Sequence, residues 1–167
     1  GVIAGAIPEL DRPMPSKIAL TGLARDLAQR AAEGKTIRVG VIGSGEMGTD
    51  LVTQMSLMTG IEMAAIATRR PHTALDAMTI AYGEDSMGKV CDTPRAATAA
   101  IEAGRIAITS AETLVTTPNI DVVIDATGKP GVAADYDLMA MEHGKHLVMM
   151  NVCLLYTSDA ADDLLCV

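Results

Sequence analysis

The sequence predicts an α/β chain folded on a doubly wound parallel sheet, and three observations carry that prediction. Short apolar runs rich in Val and Ile alternate with segments whose apolar residues recur every three or four positions, the order of strand and helix that parallel pairing requires. The first run, residues 36–42, passes straight into Gly43-Ser44-Gly45-Glu46-Met47-Gly48 and then a helical pattern, a G-x-G-x-x-G turn in its proper setting. A second run, 120–126, is continuously apolar apart from two Asp and reads as a buried strand. At 167 residues the chain is long enough for one domain with a sizeable core. The architecture expected is therefore a Rossmann-type domain over 16–152, truncated before any substrate domain.

The elements follow in order. Residues 1–15 hold three prolines and no sustained period, and read as a loop or disordered lead-in. Ser16 is a candidate cap for a helix over 17–33, stopped by Gly34. After the strand 36–42 and the glycine turn, residues 46–58 form a helix with Met47, Leu51, Met55 and Met58 on the stripe facing the sheet. A second strand spans 61–68 and a helix 71–82, opened by Pro71 and closed by Gly83. Residues 83–93 are polar and read as a loop. A helix over 94–103, a strand at 106–109, a brief helix capped by Ser110, the strand 120–126, a helix over 131–143 and a fifth strand at 145–151 complete the pattern.

The glycine turn assigns the chemistry. Gly43 makes the tight turn off the strand, Gly45 lets the backbone approach a pyrophosphate, and Gly48 lets helix and strand pack closely. The helix behind them aims free N–H groups and the positive end of its dipole at phosphates. At the end of the second strand a site for NAD places an acidic residue, whereas this chain has Thr68-Arg69-Arg70. A guanidinium pairs bidentately with a 2′-phosphate, so NADP is the cofactor expected and NAD the alternative. The bland reading of both arginines is a solvated loop. Ala126, Thr127 and Gly128 lie at the end of the 120–126 strand: Ala126 and Gly128 are small enough to pass beside the nicotinamide ribose, and Thr127 can donate a hydrogen bond to it. Asp125 reads as a carboxylate that ties down loop amides rather than as a catalytic group.

Composition removes other classes. With no Trp or Phe, three Tyr and a formal charge of −8, the chain lacks stacking platforms and basic surface for nucleic acid. No apolar run approaches the ~20 residues of a membrane span and none resembles a signal peptide, so a cytoplasmic location is expected. His72, His143 and His146 lie in separate segments without ligand spacing, so no metal site is expected. Cys91 stands in a polar segment without a visible base and reads as a plain thiol. Residues 153–167, CLLYTSDAADDLLCV, break the preceding pattern and resemble the translation of a sequencing-library adapter, with a short amphipathic helix as the alternative. The tail is expected to be non-native and unstructured, and the chain an N-terminal piece of a longer protein.

IRVGVIGSGEMGTDLVTQ, the Thr68-Arg69-Arg70 turn, IDVVIDATGKP and GKHLVMMN together resemble the cofactor domain of homoserine-dehydrogenase-like oxidoreductases. The likeness is strongest to the branch carrying a C-terminal SAF domain, which includes a reductoisomerase similar to deoxyxylulose-phosphate reductoisomerase. The resemblance implies that Gly43, Ser44, Gly45, Glu46, Met47 and Gly48 hold the pyrophosphate, Arg69 or Arg70 the 2′-phosphate, and Ala126, Thr127, Gly128 and Asn151 the nicotinamide side. It also implies hydride transfer to or from a small polar carbonyl or hydroxyl compound, such as a sugar acid or sugar phosphate, with catalytic residues outside this chain. One departure bears on the substrate: homoserine dehydrogenases follow the last strand with a catalytic lysine, where this chain has Val152. A homo-oligomer is expected for the full-length protein. The rival class is a non-catalytic module sensing NADP(H).

Overall fold

A computed structural model describes residues 21–43, 45–83, 87–128 and 130–150. The first helix, α1 (Gly22–Ala32), precedes β1 (Ile37–Ile42), and α2 (Glu46–Ser56) leads to β2 (Ile61–Ala67). Then come α3 (Pro71–Tyr82), β3 (Gly88–Val90), α4 (Pro94–Glu102), β4 (Ile106–Thr109), α5 (Ala111–Thr116), β5 (Val122–Asp125), α6 (Pro130–Glu142) and β6 (His146–Met149). The strands form one sheet in the order β3-β4-β2-β1-β5-β6, and every pairing is parallel. This is the doubly wound architecture the alternation predicts. The chain leaves β1 towards β2 on one side and returns to β5 on the other, which opens a crevice at the carboxyl end of β1.

Local sequence explains the helix ends. Pro71 and Pro94 occupy the first positions of α3 and α4, where a missing N–H costs nothing. Thr93 Oγ1 accepts from the Ala96 N–H at 3.2 Å, and Ser110 Oγ accepts from the Thr113 N–H at 3.1 Å, so Ser110 caps α5 as the sequence predicts.

Two apolar layers sandwich the sheet. One packs Val52, Met55 and Met78 of α2 and α3 on Val39, Val41, Ile66 and Ile108. The other packs Ala97, Ile101, Leu114 and Ala140 of the α4–α6 side on Ala65, Ala107 and Val123. Each fully buried Ile, Leu or Met here contributes roughly 1.5–3 kcal/mol of transfer free energy. The stripe predicted on α2 is corrected at one end: Val52 and Met55 are buried, whereas Met58 lies past the helix and is 47% exposed.

The stretch 83–93, predicted as loop, contains β3, so the sheet has six strands rather than five. Three residues, two of them exposed, are too few to show a period of two. Tertiary bonds make the strand: Arg105 Nη2 donates to the Gly88 carbonyl at 2.7 Å, and the Cys91 N–H donates to the Ile108 carbonyl at 2.8 Å. The same docking corrects the view of Cys91 as a residue of a polar loop, since it is buried in the α4–α6 layer. Burial pushes its thiol pKa up and outweighs the opposing pull of Lys89. The lead-in 1–15, the start of the predicted first helix and the tail 153–167 lie outside the described residues.

Candidate functional site

The carboxyl ends of the central strands are tied together by backbone bonds. The Gly43 N–H donates to the Ala67 carbonyl at 2.8 Å, the Ala126 N–H to Ile42 at 2.9 Å, and the Thr68 N–H to Thr109 at 3.0 Å. Over this edge lies an open hollow of about 1110 Å³, lined among others by Gly43, Gly45, Arg69, Arg70, Ala126 and Thr127.

The glycines differ in what they permit. Gly43 has φ +113°, and a Cβ there would stand 2.7 Å from the Ala126 carbonyl oxygen, so turn and loop touch through bare backbone. A Cβ on Gly48 would stand 2.3 Å from the Gly43 carbonyl oxygen, which makes the helix-to-strand approach possible only for glycine. Gly45 is the reverse case, since its Cβ would meet nothing within 4 Å. That open space faces the hollow at the N-cap of α2, where Gly45 itself has no side chain with which to cap the helix. The first N–H groups of α2 have no acceptor within their own helix. Bare donors, a helix dipole and a cradle without side chains suit a pyrophosphate, and these residues fit the dinucleotide the turn predicts. Ser44 and the side chains of Glu46 and Met47 lie outside the described residues.

Arg69 and Arg70 are exposed, line the hollow, and form no ion pair among the described residues. The turn beneath them is fixed: the Arg70 N–H donates to Thr68 Oγ1 at 3.0 Å, and Thr73 Oγ1 donates to the Arg70 carbonyl at 2.7 Å. Arg70 is also the N-cap residue of α3.

On the opposite flank Asp125 is fully buried, and its Oδ1 accepts from the Thr127 N–H at 2.9 Å. This is the loop-fixing role the sequence assigns to it. Ala126 and Thr127 reach the hollow, while Gly128, at φ +64°, is exposed and does not line it. Asn151 and Lys129 lie outside the described residues.

The hollow also includes residues the sequence reading missed: Thr73, Cys91, Asp92, Ser110 and Tyr136. Cys91 and Asp92 stand just past β3, a position that would have flagged them had that strand been recognised, whereas Thr73 and Ser110 stand at the starts of helices that were predicted and were read only for their helix roles. Tyr136 arrives from α6 and gives no local signal. Beside it Asp137 is 3% exposed and its carboxyl is pushed up to about 6, chiefly by burial and secondarily by the charge of Asp125. Among the described residues no three His, Cys, Asp or Glu side chains are placed to hold a metal ion. His72, His143 and His146 are all exposed. No helix among the described residues is long and apolar enough to cross a membrane.

Comparison with known proteins gives one family. The model described as homoserine dehydrogenase, NAD binding domain, matches residues 39–166. A comparison with curated proteins yields no match. Among solved structures, the scyllo-inositol dehydrogenase of Lactobacillus casei, with bound NAD(H) and scyllo-inositol, is similar at 19% identity and a TM-score of 0.50, over 69% of this chain and 28% of that one. A 3-ketoreductase of Actinomadura kijaniata, in complex with TDP-benzene and NADP, is similar at 21% identity and a TM-score of 0.48, over 68% of this chain and 29% of that one. The L. casei likeness shows a shared fold. This chain spans less than a third of the length of either protein.

Proposed function

The chain belongs to the family of the homoserine dehydrogenase NAD-binding domain, and on that premise we propose that the hollow holds NADP(H) for an oxidoreductase whose substrate pocket lies in further chain. The observation that carries the cofactor reading is the open Gly45 cradle at the start of α2, with two exposed arginines on the same hollow. The pyrophosphate binds the turn Gly43–Gly48, and Arg69 or Arg70 takes the 2′-phosphate. The nicotinamide lies along Ala126 and Thr127, with Gly128 and Asn151 next to it. When bound, the cofactor supplies hydride chemistry, and this domain orients it. The substrate proposed is a small polar carbonyl or hydroxyl compound of the sugar-acid or sugar-phosphate kind. Val152 stands where homoserine dehydrogenases carry their lysine, which argues against homoserine itself.

Calorimetry with NADPH and NADH tests the reading. The expected result is tighter binding of NADPH, with the preference cut roughly 10- to 100-fold by Arg69→Asp or Arg70→Asp, the loss of one charge-assisted hydrogen-bond set. Absence of binding to either nucleotide overturns the cofactor assignment. A preference unchanged in both variants overturns the 2′-phosphate assignment.

A further inference from the structure

The strongest unexplained feature lies directly beneath the nicotinamide flank. Asp125 and Asp137 are 0% and 3% exposed, and three of their four carboxylate oxygens, Oδ2 of Asp125 and both of Asp137, are buried without a hydrogen-bond partner. The fourth, Oδ1 of Asp125, accepts from the Thr127 N–H, which belongs to the loop lining the hollow. Asp125 shares its sheet face with Val123, in the layer that α6 covers through Ala140, and Asp137 is buried on that same helix, near enough for the charge of Asp125 to act on it.

Two desolvated carboxylates with no cation between them do not both remain ionised, because each loses its hydration and feels the other through a medium of low dielectric. Among the described residues nothing nearby supplies the missing charge. The neighbouring elements offer Glu112 on α5 and His146 on β6, both exposed, and Asp135, Tyr136 and Glu142 on α6 itself. Lys145 is committed at the opposite edge of the sheet, where its Nζ donates to the carbonyls of Thr117 and Ile120, both at 2.7 Å.

We propose that Asp125 and Asp137 form a carboxyl pair that holds one proton beneath the cofactor loop, and that release of this proton weakens nucleotide binding. The proton resides on Asp137, while Oδ1 of Asp125 accepts from the Thr127 amide. Loss of the proton leaves two like charges under residues 126–128 and adds negative charge beneath an anionic ligand. Binding therefore favours the protonated pair, and affinity falls as pH rises through the range in which Asp137 ionises. The coupling half of this inference rests on the cofactor reading above, whereas the shared proton does not.

The experiment uses the full 167-residue chain and reads the two halves separately. Carboxyl ¹³C NMR follows each Asp through pH 4–8, and calorimetry with NADH, which has no titrating 2′-phosphate, gives affinity over the same range. The expected result is one Asp titrating near pH 6, absent in Asp137→Asn, with NADH affinity falling in the parent by at most tenfold per pH unit and less steeply in the variant. Comparison with the variant removes any contribution from His72. Asp125→Asn, which keeps an Oδ1 acceptor for Thr127, is a second variant should the first not fold. If every Asp titrates below pH 5, or if the pair's signal shifts with Na⁺, K⁺ or Mg²⁺ instead of with protons, the shared proton is overturned. An equal pH slope in parent and variant overturns the coupling. Retained titration with no nucleotide binding at any pH overturns the cofactor reading and leaves the proton in place.

Discussion

Two loops meet at the carboxyl edge, and they are built on opposite principles. The turn Gly43–Gly48 works by leaving atoms out: Gly48 brings α2 onto the end of β1, and Gly45 leaves an open cradle in front of the helix. The loop after β5 works by burying charge, since Asp125 fixes the Thr127 amide from beneath and faces a second buried acid on α6. The first loop is short-range in sequence and tolerates no side chain at its contact point. The second joins residues twelve positions apart on a strand and a helix, and its cost depends on pH. One edge of one sheet thus positions its two flanks by sterics on one side and by electrostatics on the other.

The steric side breaks most severely. Gly48→Val places a Cβ 2.3 Å from the Gly43 carbonyl oxygen, a backbone atom that has no rotamer with which to yield. A loss of about 3 kcal/mol or more in denaturant unfolding is expected, the upper range for overpacking. A variant as stable as the parent would show that α2 can move off β1.

The electrostatic side breaks in the other direction. The folded carboxyl of Asp137 is raised from 3.8 to about 6, so the folded chain holds more protons than the unfolded one between those values, and its stability declines as pH rises across them. Asp137→Asn mimics the protonated acid and is expected to be more stable than the parent by about 3 kcal/mol at pH 7.5, with the difference shrinking towards zero near pH 3. Urea midpoints at the two pH values measure this. A variant less stable than the parent at pH 7.5 would mean that the ionised acid has a partner.

The smallest effect separates the two glycine roles. Gly45 has φ −75° and open space around its Cβ position, so Gly45→Ala should change stability by less than about 0.5 kcal/mol. NADPH affinity should nevertheless fall, because the added methyl group enters the cradle. Unchanged affinity in a fully stable variant would place the pyrophosphate elsewhere.

Local chemistry made much of this legible. Val and Ile runs, Pro71, Pro94 and the capping Ser110 bring their elements about through backbone preferences that act within a few residues. The turn Gly43–Gly48 is legible for the same reason, because its signal is contiguous and its strand and helix flank it. Illegible were features that depend on what lies across the fold. β3 exists because Arg105 and Ile108 hold three residues against β4, and Cys91 is buried because that strand docks. Tyr136 lines the hollow only because α6 crosses back over β5.

By itself, then, the sequence determined the alternation of strands and helices, the glycine turn and the arginine pair that follows β2, since each is written in adjacent residues. Tertiary structure alone decided the sixth strand, the full lining of the hollow and the meeting of Asp125 with Asp137. Burial and electrostatic coupling depend on distance in space, which spacing along the chain does not encode.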